Sequence, residues 1–379
     1  MIRAALLGVS VALAAAACSN HDARPTQVAV APGELYLDSL PLVTIGGAKA
    51  VAQFGEVVGV GRLSDGGFLV GDGAERRVRL YDSAGTLVRT VGGEGGGSEG
   101  FDRLDWVGVL PGDTLITFNM REGKFSLFTR DGAFVRSFGV ERSDIVPWPR
   151  PVAVLEGVSV LLDGSALPVP PTRAMATGVY VESTVVARVR ATDGVVDSIA
   201  SYPSRRVYRT DRGRIATVLP FSPRLSLAPL GDDVVAGFGE DTLVSVFGAT
   251  GRQAIYVPLP ARDISPADAA RERDKRLTGG MNVSAQAEGA RQALPVPARF
   301  PRYDALVIDD QKRVWVRAYS EAQDEAEHWS ILTMSGVVAE RATLPPRFEI
   351  VAVVRDRVLG TWRDADDAQY VGVFALRRR

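Results

Sequence analysis

Short segments in which apolar and polar residues alternate, separated by turns of glycine and aspartate, follow one another from about residue 34 to residue 379. One unit of this pattern, residues 69–92, recurs without a gap as residues 116–139, an offset of 47 positions (116 against 69) at which Gly85 aligns with Gly132. Alternation with period two predicts β-strands. A self-match of short strands at this period is typical of a propeller blade, a sheet whose faces are buried only when neighbouring blades stack on it.

The spacing of the strands predicts six blades of four strands each. Blades one and two occupy residues 56–92 and 105–139, and the later blades begin at Val152, Leu225, Asp304 and Glu349. The sixth blade lacks its outer strand, and the strand-like segment 35–47 would supply it and remove two open sheet edges. The sequence therefore predicts an all-β fold over residues 34–379: a six-bladed β-propeller of four-stranded blades, closed by an N-terminal strand that completes the last blade.

The first unit resembles a known repeat. It reads Gly67-Phe-Leu-Val-Gly-Asp72 around its second strand, which is predicted near residues 67–71, and its last turn follows as Tyr81-Asp-Ser-Ala-Gly85. This unit is similar to the NHL repeat of six-bladed propellers, and the later blades resemble it at the level of pattern. The resemblance implies the propeller fold and no single activity, because that family includes lyases, lactonase relatives, protein binders and RNA binders.

The N-terminal segment has the features of an export signal. Residues 1–17 carry one early charge, Arg3, followed by an apolar run too short to span a bilayer, which predicts a cleaved signal peptide. Cys18, the only cysteine of the chain, comes next, although Ala15 stands where leucine is usual. The junction resembles the lipobox of bacterial lipoproteins. The resemblance implies that Cys18 is lipidated, that residues 18–33 are a tether, and that the protein is anchored in the cell envelope.

Two further properties of the sequence bear on the cellular location and the partners of the protein. Ser19, the residue after the cysteine, implies by the same resemblance the outer membrane, with the protein facing the periplasm or the cell surface. The 44 Lys and Arg residues balance 45 Asp and Glu residues, so no net charge attracts nucleic acid or an anionic membrane. We therefore expect a monomer that contacts the membrane through its lipid anchor only and has no nucleic-acid partner.

The long connections between predicted strands all fall on one face of the propeller. Long loops on one face of a rigid scaffold commonly carry function, so we expect a small molecule or a protein partner to bind there. One of these connections, residues 264–294, contains a polar segment that begins with Ser265 as N-cap and Pro266 at the first helical position. It predicts a helical insertion, which is either a lid or a solvated helix at the rim.

The innermost predicted strands start with acidic residues that would border the channel. Crowded carboxylates need either a bound cation or arginine partners to stay ionised. In the first hypothesis they hold a hard ion such as Ca²⁺, with one asparagine as a further ligand. The candidate metal ligands are Glu56, Asp105, Asn119, Asp304 and Glu349. In the second hypothesis Arg150 pairs with Asp105 and Arg224 with Asp304, which makes the mouth purely structural.

An arginine-rich stretch connects the third and fourth blades. Arginine beside tyrosine binds phosphate, carboxylate or a sugar acid through paired hydrogen bonds. The candidate ligand-binding residues are Arg150, Arg205, Arg206, Tyr208, Arg209, Arg214 and Arg224. The alternative is a solvated loop whose charge is balanced by acidic loops such as residues 321–327.

Catalytic chemistry has few candidate residues. The two histidines, His21 and His328, cannot build the histidine-ligated zinc site of the amidating lyases that share this repeat, and a Ser-His-Asp triad has only His328 available. The main hypothesis is therefore a propeller that binds a ligand or protein partner without catalysis and without a cofactor. Two alternatives stay open: a Ca²⁺-dependent hydrolase of the lactonase type with the metal at the channel mouth, and a structural scaffold for protein interactions.

Overall fold

The computed structural model describes residues 32–47, 53–93, 95, 100–140, 146, 149–164, 174–210, 215–278, 294–321 and 325–379. The predicted signal peptide and Cys18 lie outside the described residues. The first six strands are β1 Gly33–Leu37, β2 Val43–Gly46, β3 Val57–Arg62, β4 Phe68–Asp72, β5 Arg77–Tyr81 and β6 Leu87–Gly92. The next four are β7 Trp106–Leu110, β8 Thr114–Asn119, β9 Lys124–Phe128 and β10 Phe134–Gly139.

The remaining elements follow in chain order. They are β11 Arg150–Leu155, β12 Ser159–Asp163, β13 Gly178–Arg190, β14 Val196–Thr210, β15 Ile215–Val218, β16 Leu225–Leu230, β17 Asp233–Phe238, β18 Leu243–Gly248 and β19 Gly251–Tyr256. The helix α1 Pro266–Thr278 comes next. The last strands are β20 Tyr303–Ile308, β21 Val314–Ala318, β22 Glu327–Leu332, β23 Val338–Leu344, β24 Glu349–Val354, β25 Arg357–Arg363 and β26 Gln369–Arg378.

The strands form several sheets, in which neighbouring strands run antiparallel except for β1 and β23. Strands β3–β6, β7–β10 and β16–β19 each make a four-stranded sheet, and β11–β15 make a five-stranded one. The other strands form one nine-stranded sheet in the order β20-β21-β22-β23-β1-β26-β25-β24, with β2 also paired to β26. The first strand of each group of consecutive strands is its inner strand. These inner strands contact one another in the order β3, β7, β11, β16, β20 and β24. The fold is therefore all-β and propeller-like.

Burial along the chain follows from this stacking. Strand β4 is buried at every residue, because neighbouring sheets cover both of its faces, whereas β6 at the outer edge exposes its first four residues. Six apolar clusters fill the spaces between successive groups of strands in the described part of the chain. One of them packs Ile45 and Val371 against Phe68 and Val70, so the last strands meet the first sheet and the arrangement closes on itself.

The segment predicted as one closing strand is two strands. Strand β2 pairs antiparallel with β26, with Val43 opposite Val373. Strand β1 lies between β26 and β23 and runs parallel to β23, which links the last two groups of strands into one sheet. The break falls at residues 38–42, where Pro41 has no N–H to donate to a ladder.

Glycines at the last turns of the sheets adopt a backbone conformation that other residues avoid. Gly85 and Gly132, which align in the internal repeat, have φ of 86° and 87°. A side chain there would also press against a neighbouring sheet, since an added Cβ would lie 2.9 Å from Cγ1 of Val43 at Gly85 and 2.7 Å from Cγ2 of Val91 at Gly132. The repeated glycine therefore fixes both the turn and the contact between adjacent sheets.

Two of the connections predicted between strands, residues 164–184 and 201–224, contain strand structure instead. Strands β13 and β14 are 13 and 15 residues long and pair from Gly178 with Arg209 to Val189 with Val196, and β15 adds a further edge strand. Alternating β-branched and aromatic residues around Val179 and Tyr180 favour this extension. The arginine-rich stretch is consequently part of a strand up to Thr210, and the interpretation as a loop is wrong there.

The predicted insertion contains α1. Its N-terminus is held by a reciprocal pair of bonds, in which the Asp268 N–H donates to Ser265 Oγ (3.1 Å) and the Ser265 N–H donates to Asp268 Oδ2 (3.1 Å). The described part of the chain includes no helix with the length and apolar character needed to cross a membrane.

Candidate functional site

The structure divides the predicted ring of carboxylates between two cavities. Glu56, Asp105 and Asn119 line a cavity of about 750 Å³ between the first two sheets, here called the N-terminal cavity. Asp304 and Glu349 line a cavity of about 670 Å³ in the nine-stranded sheet, here called the large-sheet cavity. Among the described residues no three acidic, histidine or cysteine side chains come together in a group suited to a metal ion.

In the N-terminal cavity the polar atoms mainly serve the backbone. Asp105 Oδ2 accepts the Met120 N–H (2.8 Å) and Asp105 Oδ1 accepts Arg103 Nε (2.5 Å). Asn119 Oδ1 accepts the Glu122 N–H at 3.2 Å. The oxygens proposed as metal ligands therefore stabilise the turn between β8 and β9, and Arg103 supplies the counter-charge of Asp105.

A buried ion pair supports the wall of the same cavity. The Asp72 side chain is fully buried and binds Arg79 Nη1 at 3.0 Å. Its two oxygens also accept backbone N–H groups of Gly55, Glu56 and Glu75, each at 3.2 Å. Asp72 thus fixes the chain entering β3 and leaving β4.

The arginine pairing that the sequence suggested across the channel is wrong. Arg150 binds Asp163 at 2.9 Å, not Asp105, because β11 and β12 place these two residues directly opposite each other. Asp304 binds Arg317, not Arg224. In both cases a partner on the adjacent strand of the same sheet takes the place of one in a neighbouring sheet.

The large-sheet cavity is built around Arg317. Its Nε donates to Asp304 Oδ1 (2.7 Å) and its Nη1 donates to Glu327 Oε1 (3.2 Å), so one guanidinium joins three adjacent strands, β20, β21 and β22. Glu327 Oε2 accepts the indole N–H of Trp329 at 3.3 Å. Burial raises the pKa of Glu327, and Arg317 opposes that shift.

Gln369 closes another side of this cavity at the start of β26. Its side chain is 7% exposed, and Oε1 accepts the Val57 N–H at 2.7 Å. Because the oxygen is used in this bond, the amide orientation is fixed and Nε2 faces away from Val57. Nε2 has no hydrogen-bond partner among the described residues. The next wall contains Trp362, stacked on Tyr370 with ring centroids 5.1 Å apart.

The arginines of the β14 stretch bind one carboxylate on the neighbouring strand β13 and one in the turn after β17. Arg205 and Arg209 both bind Glu182, Arg205 Nε at 2.9 Å. Arg206 holds Glu240 through Nε and Nη2, both at 2.8 Å, and these bonds raise its pKa. Tyr208 pairs with Val179 in the same hairpin. Arg214 lies outside the described residues, and the ligand-binding role of the stretch stays a prediction.

Arg317, Glu327 and Gln369 were not singled out by the sequence. Arg317 carried a weak signal, since it follows the apolar run of β21 at the same mouth as Asp304. Gln369 carried none, because its contact with Val57 joins positions 312 residues apart.

Neither a protein-family model nor a curated protein sequence matches the chain. Among solved structures, a member of the DUF4221 family from Bacteroides vulgatus is similar over 92% of this chain and 99% of its own, with 10% identity and a TM-score of 0.58. A gluconolactonase from Xanthomonas campestris (92% and 99% covered, 11% identity) and a virginiamycin B lyase from Staphylococcus aureus (90% and 99% covered, 9% identity) both have TM-scores of 0.44. At these identities the likeness concerns the propeller-like fold alone.

Proposed function

We propose that this protein is a lipid-anchored, extracytoplasmic six-bladed propeller of the NHL type, which binds a small polar ligand in the large-sheet cavity without catalysis. The six apolar clusters between successive groups of strands support the blade count. Within the nine-stranded sheet, β20–β23 make one four-stranded group, and β24–β26 with β2 make the other. Strands β1 and β15 are additions to this plan.

The anchor is proposed from the sequence. A single cysteine directly after an apolar export segment supports lipidation of Cys18, and Ser19 supports an outer-membrane location. Residues 18–33 would then tether the propeller at the periplasmic or outer surface.

The observation that carries the binding function is the large-sheet cavity with its preset charged groups. Its volume of about 670 Å³ lies within the range of small-molecule sites. The Asp304–Arg317–Glu327 network is held by three strands of one sheet, so its side chains are ordered before a ligand arrives. Such pre-organisation lowers the entropic cost of binding.

A thermal-shift screen with a fixed panel of neutral sugars, amino sugars, uronic acids and amino acids tests this function. Ala326 is exposed and lines the large-sheet cavity, so Ala326→Trp fills that cavity. Ala74 is exposed and lines the N-terminal cavity, which makes Ala74→Trp the matched control. A ligand should raise the Tm of the wild type and of Ala74→Trp but not of Ala326→Trp. No shift with any panel member, or the reverse pattern, contradicts the proposal.

One observation favours a second candidate function, the Ca²⁺-dependent hydrolase. Glu56, Asp105 and Asn119, three of the five candidate metal ligands, line the same N-terminal cavity. A Ca²⁺ titration followed by calorimetry tests it, with Asp105→Asn and Asn119→Ala as variants. Stoichiometric binding that both variants abolish would support this function, and no heat of binding would reject it.

A further inference from the structure

A third, smaller cavity opens at the far end of the gap between the first sheet and the last strands. The large-sheet cavity is lined by residues at the start of β3 and the end of β25. The smaller cavity, here called the apolar cleft, is lined instead by Arg62 at the end of β3 and Arg357 at the start of β25. Its volume is about 120 Å³, and its most buried lining residues are Phe68, Leu359 and Val373.

The alternation of side chains along the strands directs both arginines toward this gap. Val60, two residues before Arg62, and Leu359, two residues after Arg357, belong to the apolar cluster between the last strands and the first sheet. Side chains two residues apart on a strand share a face. Arg62 and Arg357 therefore continue two apolar rows, and both are exposed where these rows end.

The charge of the apolar cleft differs from that of the large-sheet cavity. Five carboxylates and three guanidiniums line the large-sheet cavity, whereas the described residues that line the apolar cleft include two guanidiniums and no carboxylate. Arg62 and Arg357 make no ion pair and no side-chain hydrogen bond within the described residues. Asp65, in the turn after Arg62, is bound by Arg130. Two uncompensated positive charges beside an apolar surface favour an anion with an apolar tail.

The volume of the cleft limits the length of that tail. Since a cavity of about 150 Å³ holds one benzene molecule, a cleft of about 120 Å³ accommodates roughly four to six carbon atoms. A carboxylate is the anionic group that best fits arginine, because a guanidinium donates two parallel hydrogen bonds to it.

We propose that the apolar cleft binds a short aliphatic carboxylate. The carboxylate lies against Arg62 and Arg357, and the hydrocarbon chain packs on Phe68, Leu359 and Val373. The apolar cleft is thus a second binding site, separate from the large-sheet cavity and independent of the ligand bound there.

Three compounds with the same six-carbon chain test the charge requirement. At neutral pH hexanoate is an anion, 1-hexanol is neutral and hexylamine is a cation. Titrations followed by ligand-observed nuclear magnetic resonance should give hexanoate the highest affinity for the wild-type protein and hexylamine the lowest.

A series of chain lengths tests the size of the cleft. From butanoate to hexanoate each added methylene should tighten binding by about two- to fourfold, because it leaves water for the cleft. From octanoate to decanoate the gain should stop, since the cleft is full. An undiminished gain up to decanoate would mean adsorption to general apolar surface and would overturn the proposal.

Variants locate the site. Arg62→Gln and Arg357→Gln should each weaken hexanoate binding by about two- to fivefold, as expected for one exposed ion pair, and should leave hexanol binding unchanged. Arg355→Gln is the matched control, because Arg355 is exposed in the adjacent turn but does not line the cleft. Ala352→Leu narrows the cleft and should abolish the binding of both compounds.

The exposed arginine variants decide the result even if Ala352→Leu does not fold. The proposal is overturned if hexanoate does not bind the wild type, or if hexanol or hexylamine binds as tightly as hexanoate. It is also overturned if Arg355→Gln weakens hexanoate binding as much as Arg62→Gln and Arg357→Gln do.

Discussion

The two cavities at the starts of the inner strands resemble each other in size and in residue type but differ in how their polar atoms are used. In the N-terminal cavity the oxygens of Asp105 and Asn119 accept N–H groups of a turn, and Arg103 neutralises Asp105. In the large-sheet cavity the side chains bind one another through Arg317, and Gln369 Nε2 has no hydrogen-bond partner in the part of the chain that the structure describes. Cavities of similar volume and charge thus use their polar atoms in two ways: mainly in bonds to the backbone of a turn in one, and mainly in bonds between side chains in the other.

The largest expected effect concerns the strands that hold the large-sheet cavity together. A chain that begins at residue 48 lacks β1 and β2, so β26 loses ladder partners on its outer edge and Ile45 leaves the closing cluster. Its unfolding midpoint in urea should fall by more than that of any single substitution below. A chain that begins at residue 32 is the control and should unfold like the full chain; equal midpoints for both truncated chains would disprove the closing role.

The second prediction concerns the contribution to stability of the buried Asp72–Arg79 ion pair beside the N-terminal cavity. Asp72→Ala removes the buried partner of Arg79, leaving the exposed Glu75 as its counter-charge, and frees three backbone N–H groups, so the free energy of unfolding should drop by about 3–5 kcal/mol. Asp102→Ala, at an exposed residue lining the same cavity, should change it by less than about 0.5 kcal/mol. Similar losses for both variants in urea unfolding would contradict this account.

The third prediction compares the two cavities directly. Asp105→Ala removes the acceptor of the Met120 N–H and should cost about 1–3 kcal/mol of stability. Glu349→Ala in the large-sheet cavity should cost less than about 0.5 kcal/mol, because no backbone group depends on that carboxylate in the described structure. Equal costs would remove the distinction between a structural and a ligand cavity.

The smallest effect is a pH dependence at Glu327. Burial raises its pKa above the ordinary value of 4.5, so the folded protein holds this proton more tightly than the unfolded chain. Stability from this group is then greatest below the unfolded pKa and falls as the pH rises through the folded pKa. Relative to Glu327→Gln, the wild type should be more stable at pH 4 than at pH 7. A stability difference that is constant across this range, or that has the opposite sign, would contradict the shift.

The fold could largely be predicted because the chain repeats its own pattern. Strand β5, Arg77–Tyr81, ends where the last turn of the first unit was predicted to begin, since turn glycines such as Gly85 fix the frame of the alternation. The outer part of the β13–β14 hairpin, before Val185 and after Ser201, was missed, because its alternation lies within what was interpreted as two connections.

The candidate site was predictable only in part. Asp304 and Glu349 were singled out from their positions at strand starts. The partner of Asp304 was not, because the Arg317 contact depends on a register shift between Tyr303 and Ala305. The Gln369 contact depends on the meeting of the two ends of the chain.

The pairing of β2 with β26 also has a consequence for how the chain folds. Strand β2 precedes β3–β25 in sequence, yet its partner is β26, more than 300 residues later (Val43 opposite Val373). Contacts between residues so far apart in sequence form slowly, because a very long loop must close before any bond rewards it. The sheets from β3 to β19 contain only local pairings and need not wait for this step. The seam that joins the two ends of the chain is therefore expected to form last, as the rate-limiting event of folding.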